Sequence, residues 1–379
     1  MTDALLATPP LRPTKSARVS FVHDFMVERG GAERVLLELN HTFPGAEIHT
    51  AMFDPDGTYE SLSELKVHAL LGRRQTFFSS EHRRSMPLAV HAFRNATIDS
   101  DVLIANSSGL SHLAHSTGLR IVYCQTPARW LHRTDDYLRR LPTASTRLFS
   151  LAIRRWLLDV DREAIRTADA LLVNSRHMAK VVAAIYGVES EVVIPPSSLS
   201  VDGPTHPIPD LDPGFFLTPS RLLSYKRVDV LLRAAEALPQ ARFLIIGDGP
   251  MRRSLRRMAP PNVIFCGSVP EATLRWAYDA CHAVVLTCAD DYGLVPREAA
   301  AFGKVAVVPM AGGYLEQSAD GVGTITYPYG SWEALHGTLG PLSTETRPPF
   351  LTVCDLDADR NMFRSHIATI VDRTLGGPP

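Results

Sequence analysis

The chain has 379 residues, of which 45% are hydrophobic and 21% charged, with a formal net charge of −1. That length suits two or three α/β domains with cores of their own, and the balanced charge gives no bulk preference for nucleic acid or an acidic surface. The five cysteines form no C-x-x-C pair, which argues against a zinc ribbon or a disulfide framework and for a reducing cytoplasm. No apolar run of about 18 residues and no signal-like start are present, so neither a membrane span nor a secretory leader is expected.

Residues 1–17 are rich in proline and threonine and read as a disordered tail. "ARVSFVHDF" then reads as a strand ending in His23 and Asp24. Gly30 and Gly31 follow, ahead of a helix with Val35, Leu36 and Leu39 at helical spacing. Glycines let backbone N–H groups approach a ligand closely, and a helix N-terminus favours a phosphate; a loop that merely caps the helix has the same appearance. "SDVLIANSS", "RIVYCQT", "ADALLVNS" and "SEVVIPPSS" are short apolar runs that end in polar turns, with helical patterns between them. This alternation predicts a parallel Rossmann-like sheet over residues 18–200.

The stretch from Pro195 to Gly214 carries six prolines and little periodicity, and 201–214 reads as a linker. The alternation restarts in "FFLTPSR", "RFLIIGDG", "NVIFCGS", "AVVLTC", "VAVVPM" and "GTITY", which predicts a second Rossmann-like domain over 215–352. Residues 353–379 form an amphipathic helix with Met362, Phe363, Ile367 and Ile370 on one side. Spacing does not name its partner; packing back on the N-terminal domain is one arrangement. Ligands of open parallel sheets sit beyond the carboxyl ends of the strands, so two such domains would face one another across a cleft.

Two strand exits in the second half carry candidate chemistry. In "TPSRLLSYKRVDVLL" the helix face is Val228, Leu231, Leu232 and Ala235, while Arg221 and Lys226 flank the turn entering it. Two cations beside a helix start suit a diphosphate, Arg as a fork and Lys as a point charge; the plain alternative is a solvated basic turn, and Arg227 reads as part of the solvated face. In "DDYGLVPREAAAFGK", Pro296 fits the first turn of a short helix and Gly303 the position past its end. Glu298 then lies in the first turn, able to accept hydrogen bonds from paired ribose hydroxyls. Asp290 stays on the strand exit, and Gly293 and Leu294 offer backbone N–H groups. A helix-capping acid and a turn acid are the alternatives.

Other signals are weaker. "GDGPMR" lacks the third glycine of a dinucleotide fingerprint, with Arg252 in its place. The fourteen histidines show no metal-ligand spacing, and no Ser/His/Asp order follows from spacing. "LLGRRQTFFSSEHRRSMPLAVHAFR" and "RRLPTASTRLFSLAIRRWLL" mix arginines with aromatic residues, which suits an anionic membrane surface or a solvated helix face.

The Asp290–Glu298 frame resembles the E-x7-E motif of the retaining glycosyltransferases of family 4, which have the GT-B fold. The resemblance covers most of the chain from about Arg18 onward. "VHDFMVERGGAERVLLEL", "PSRLLSYKRVDVLL", "IIGDGPMRRSL", "VPREAAAFGKVAVV" and "AGGYLEQSADG" follow that family's order and spacing. "YCQTPARW" and "MPLAVHAF" are most similar to a bacterial branch of O-antigen and exopolysaccharide mannosyltransferases.

The resemblance implies transfer of a hexose from a nucleoside diphosphate sugar, GDP-mannose or a UDP-sugar, to a glycan, glycolipid or small-molecule hydroxyl. It implies that Gly30 and Gly31 approach the diphosphate, that Arg221 and Lys226 neutralise it, and that Glu298 holds the ribose beside the backbone of Gly293 and Leu294. Val269 falls near the base, Asp290 and Gln125 near the transferred sugar, and Asp24 and Arg129 on the acceptor side. No metal or other cofactor is implied, and no D-x-D pair stands beside these segments. The expected location is cytoplasmic, at most peripheral on the inner membrane face. Two departures stand out: Asp290 replaces the usual Glu, and Gln125 replaces a histidine, so this position can orient a hydroxyl but cannot titrate. They leave room for a non-catalytic GT-B partner subunit that binds nucleotide sugar. A sugar-nucleotide epimerase, which uses a similar fold, is a further alternative.

Overall fold

The structure, a computed structural model, describes residues 17–73, 75, 85–132, 144–197, 199–344 and 354–376. Residues 1–16 of the expected tail, residues 74 and 76–84 of the first arginine-aromatic stretch and 139–143 of the second lie outside them. The chain divides into two compact units, an N-terminal one of Met1–Pro196 with Arg360–Pro379 and a C-terminal one of Ser197–Asp359.

The N-terminal unit contains strands β1 (Val19–His23), β2 (Glu47–Thr50), β3 (Val67–Ala69), β4 (Thr97–Ile98), β5 (Val102–Ser107), β6 (His115–Ser116), β7 (Leu119–Cys124), β8 (Ala170–Val173) and β9 (Glu191–Val192). Seven of them form one sheet in the order β3-β2-β1-β5-β7-β8-β9, every pairing parallel. The order reverses between β1 and β5. Connecting helices are α1 (Gly31–Thr42), α2 (Glu60–Ser63), α3 (Met86–Asn95), α4 (Arg129–His132), α5 (Ala144–Arg166) and α6 (Arg176–Tyr186). Helix α6 shows how local sequence sets the ends: Ser175 Oγ accepts the Met178 N–H at the start, and Gly187 turns left-handed at φ 69° after the last turn.

The C-terminal unit holds β10 (Phe216–Pro219), β11 (Phe243–Ile246), β12 (Val263–Gly267), β13 (Ala283–Val285), β14 (Ala306–Pro309) and β15 (Thr324–Tyr327). They are ordered β12-β11-β10-β13-β14-β15, again all parallel, so the order reverses between β10 and β13. Its helices are α7 (Val228–Glu236), α8 (Arg252–Met258), α9 (Glu271–Ala280), α10 (Val295–Ala301), α11 (Tyr314–Ala319) and α12 (Trp332–Leu342).

Alternation along the strands builds a core on each face of each sheet, as parallel sheets covered on both sides require. Phe21, Ile104 and Ile121 lie in one N-terminal core and Val22, Leu103 and Val122 in the other. Phe216, Phe243 and Ile245 face one C-terminal core; Leu217, Leu244 and Ile246 face the opposite one.

The proline-rich stretch 201–214 belongs to the C-terminal unit. Arg275 holds its start, donating from Nε to Ser200 O at 2.9 Å and from Nη1 to Pro204 O at 2.6 Å, and Leu199 and Leu211 enter the core beneath. The stretch read as a linker is fastened by one buried guanidinium and by Leu211.

Helix α13 (Leu356–Thr374) closes the chain. Phe363, Ile367, Ile370 and Val371 lie in the N-terminal core with Phe21 and Tyr123, and the Phe363 ring meets Tyr123 edge-on at 6.1 Å. Met362 is 58% exposed, so the buried stripe is narrower than the spacing suggested. Arg364 donates to Glu38, and Arg373 and His366 meet Glu191. Replacing Phe363 with alanine is expected to lower the stability of the N-terminal unit by about 3–5 kcal/mol, the cost of an aromatic-sized cavity. Urea denaturation followed by circular dichroism measures the effect, and an unchanged midpoint would remove the helix from that core.

Candidate functional site

At the reversal point of the C-terminal sheet, the exits of β11, β10, β13 and β14 lie side by side. They approach closely because glycines leave room. A Cβ on Gly247, at φ 128°, would stand 2.2 Å from Ser220 O. A Cβ on Gly312, at φ 67°, would stand 2.2 Å from Asp290 O. Loop backbone therefore rests directly on loop backbone, and Gly313 N–H donates to Asp290 O at 2.9 Å. In open parallel sheets such a reversal point, beyond the carboxyl ends of the strands, is where ligands bind.

The chemistry of the sequence converges here. Lys226 ends a short 3₁₀ turn (Ser224–Lys226), and Arg227 enters the left-handed region at φ 52° to start α7. Lys226 Nζ stands 2.7 Å from Asp290 Oδ2, and the side chains are 14% and 22% exposed. Burial alone would push the Lys226 ammonium down; the Asp290 carboxylate more than offsets this and holds it above its ordinary value. The Tyr314 hydroxyl also donates to Asp290 Oδ2, at 3.3 Å. Arg221 Nη2 reaches the Tyr225 hydroxyl at 3.5 Å, and Lys226 lies 5.4 Å from the Tyr225 ring centroid. Arg227 pairs with Asp229 on the half-exposed face, as assigned from sequence. Lys226, expected to await a diphosphate, is thus balanced by an acid of its own.

Glu298 lies in the first turn of α10, behind Pro296, with Gly303 left-handed just past the end. Its carboxylate is only slightly exposed. Oε1 accepts from Ser197 Oγ at 2.7 Å and Oε2 from the Tyr278 hydroxyl at 2.5 Å. Gln317 Nε2 donates to the carbonyls of Tyr292 and Gly293, at 2.5 and 2.8 Å, and so fixes the peptides that lead into Gly293 and Leu294. Val269 follows β12 at the sheet edge and packs half-buried against the core. Sequence reasoning singled out none of Ser197, Tyr278, Tyr314 and Gln317, even where the stretch around them was noted; each matters only through a residue distant in sequence.

The reversal point of the N-terminal sheet is used differently. Asp24 was expected on the acceptor side. Its carboxylate accepts the N–H groups of Ser108, Leu110 and Ser111, at 3.1, 3.3 and 2.7 Å, and ties the turn after β5 to the end of β1. Gln125, expected near the transferred sugar, is engaged in a similar way. Its Nε2 donates to Asn106 Oδ1 at 2.8 Å, its Oε1 accepts from Asn174 Nδ2 at 3.3 Å, and it is 9% exposed. His23 continues this row: Nδ1–H donates to Asn106 O at 3.0 Å, and Nε2 lies 3.5 Å from Glu33. Burial disfavours the imidazolium, yet Glu33 and Asp24 raise its pKa overall. Polar ends of four adjacent strands are thereby laced together, and Gln125 is a link in the lacing. The visible sequence signal was a polar residue closing each apolar run, Asn106 in "IANS" and Asn174 in "LVNS". Gly30 and Gly31 sit at the start of α1, Gly30 as its N-cap in extended conformation, and Arg129 opens α4, half-buried.

Ser107, His112 and Asp161 have the connectivity of a nucleophilic triad. Ser107 Oγ lies 2.8 Å from His112 Nδ1, and His112 Nε2 lies 2.9 Å from Asp161 Oδ1. All three are at most 3% exposed, which denies them a substrate. A second histidine, His132, reaches Asp161 Oδ2 at 2.9 Å and anchors the end of α4 to α5.

Residues 206–344 match the family described as Glycosyl transferases group 1. No curated protein matches the chain by sequence. Among solved structures the chain is similar to Anabaena HepE in complex with UDP and glucose, with a TM-score of 0.61, 17% identity, and coverage of 94% of this chain and 95% of that one. It is also similar to the sucrose-phosphate synthase of Thermosynechococcus elongatus (0.58, 14%, 94% and 97%) and to WaaG, a glycosyltransferase involved in lipopolysaccharide biosynthesis (0.58, 15%, 93% and 95%). Such distant likenesses establish architecture. The fold is GT-B, two Rossmann-like units with parallel sheets, as the sequence led us to expect.

Asp161 supplies a pH-dependent prediction. Burial pushes its carboxyl up, but the hydrogen bonds and charges of His112 and His132 win and hold it well below the usual carboxylate range. Its stabilisation is therefore complete above the unfolded-chain value near pH 4 and is lost as pH falls towards the lower folded value. Asp161→Asn is expected to cost about 3–5 kcal/mol at pH 7, the scale of a broken buried pair. The deficit should shrink below pH 4 in urea melts taken across the acid range. A deficit independent of pH would contradict the assignment.

Proposed function

We propose that the chain is a glycosyltransferase that moves a hexose from a nucleoside diphosphate sugar to a hydroxyl of a glycan, glycolipid or small molecule, with retention of configuration, as a family 4 enzyme. The observation that carries this reading is the meeting of Lys226 and Asp290, with Arg221 alongside, at the reversal point of the sheet, within the residues that match the glycosyltransferase family. The resemblance to mannosyltransferases speaks for GDP-mannose as donor. The fold neighbour in complex with UDP-glucose speaks for a UDP-sugar.

In this reading Arg221 and Lys226 face the charge that develops on the departing diphosphate. Preorganised donors of this kind commonly give the largest catalytic contribution. Lys226 has three N–H donors, so its bond to Asp290 fixes the ammonium without exhausting it. Asp290 orients Lys226 and the sugar hydroxyls rather than attacking carbon. The departing phosphate oxygen takes the acceptor's proton, and no metal is required. Glu298 receives the ribose hydroxyls.

Thermal-shift assays with GDP-, UDP-, ADP- and TDP-sugars should reveal the donor, because a ligand of the native state raises the melting temperature by mass action. With that donor, Arg221→Ala is expected to cut turnover by about 10²–10³-fold. Glu298→Ala should weaken nucleotide binding by about 1.5–3 kcal/mol. Activity in EDTA and the product anomer read by proton NMR test the mechanism. Binding without turnover or donor hydrolysis would instead favour a non-catalytic partner subunit, and donor isomerisation without acceptor an epimerase.

We also propose peripheral contact with an anionic membrane. Leu88, Ile153 and Trp156 are exposed on the N-terminal unit, and the Arg94 guanidinium lies over the Trp156 ring at 4.7 Å. No helix of the described residues is long and apolar enough to cross a membrane. Trp156→Ala should reduce co-sedimentation with phosphatidylglycerol vesicles but not retention by neutral ones; equal retention of both variants on both vesicles would dismiss the contact.

A further inference from the structure

We infer that Tyr278 and Ser197 are positioning residues for the nucleotide's ribose, acting through Glu298. The inference rests on the reading of Glu298 given above and assigns that site two residues outside its motif. Both oxygens of the carboxylate are held by protein hydroxyls, Tyr278 on Oε2 at 2.5 Å and Ser197 on Oε1 at 2.7 Å. A carboxylate has about four acceptor sites, so accepting from these two does not exclude a diol. The two bonds instead fix the torsion of a side chain that would otherwise lose rotamer freedom when a ligand binds.

Each hydroxyl is itself held in place. The Tyr278 ring, on α9, stacks on Phe302 just past α10, with centroids 5.3 Å apart and planes 13° from parallel. Ring contact places the tyrosine; its O–H is spent on Glu298. Ser197 is the first residue of the C-terminal unit. Its Oγ accepts the Leu199 N–H at 3.1 Å, and Leu199 is fully buried. That bond holds the Ser197 hydroxyl, which donates to Glu298 on α10.

Tyr278→Phe keeps the stacked ring and removes only the hydroxyl. Titration calorimetry would compare whichever of UDP and GDP the wild type binds with its 2′,3′-dideoxy counterpart. Wild type is expected to prefer the ribonucleotide. In Tyr278→Phe and in Ser197→Ala, affinity for the ribonucleotide should fall about 5–10-fold, the scale of the net contribution of one ordinary hydrogen bond. Affinity for the dideoxynucleotide should stay within error, so that the preference collapses. Ser197→Thr, which keeps the hydroxyl, should restore the preference. Parallel loss for both nucleotides would mean a merely structural role and overturn the inference, as would an unchanged preference in both variants. A wild type that binds the two nucleotides equally would overturn the Glu298–ribose reading and this inference with it. Should Tyr278→Phe fail to fold, the Ser197 pair of variants decides alone.

Discussion

At the reversal point of the C-terminal sheet, backbone lies on backbone, and the candidate site depends on that contact. Gly247 and Gly312 each occupy a left-handed conformation where a side chain would collide with a carbonyl of the neighbouring loop. These contacts brace the exits of β10 and β13 from their outer neighbours, and between those two exits Lys226 and Asp290 form a short, largely buried ion pair. Removing one partner from such a pair leaves an uncompensated charge in a poorly solvated place, which costs far more than the pair contributes. The loops are thus fixed twice, by steric contact and by charge.

The two sheets share a winding order but use its reversal differently. In the N-terminal unit the space is filled from within. Asp24 caps the turn after β5, and His23, Asn106, Gln125 and Asn174 link successive strand ends. Amides and a three-fold acceptor suit this task, because they satisfy buried backbone and side-chain polar groups without a ligand. In the C-terminal unit the same place holds cations and carboxylates. That asymmetry, more than the shared architecture, assigns the charged chemistry to the second unit.

Helix α10 has a second duty. Glu298 is bonded to Ser197, where the chain enters the C-terminal unit, and the neighbouring Arg297 donates to Asp359, where it leaves. Burial lowers and Asp359 raises the Arg297 pKa, with a net rise that keeps the pair ionic. Both ends of the unit are therefore fastened to one seven-residue helix at adjacent positions, and the carboxylate read as the ribose ligand stands at that junction. A short helix can carry this load because five of its seven residues are buried, three of them alanines.

Much of this molecule is local and was legible in the sequence. Short apolar runs ending in polar turns gave the parallel strands, and the pause in their rhythm gave the two halves. Proline and glycine bracketed α10, and Arg221, Lys226, Asp290 and Glu298 stood at strand exits, where ligands of such sheets bind. The sequence could not show which polar atoms were already taken. Lys226 meets Asp290 across 64 residues, Glu298 meets Ser197 across 101, and Asp24 is consumed by N–H groups more than 80 residues away. Nor could spacing tell that Arg275 would fasten the proline-rich stretch or that α13 would cover the first sheet. Secondary structure follows from periodicity and turn chemistry along the chain; the state of a carboxylate or an amide follows from what the fold brings to it, and only the tertiary structure decides that.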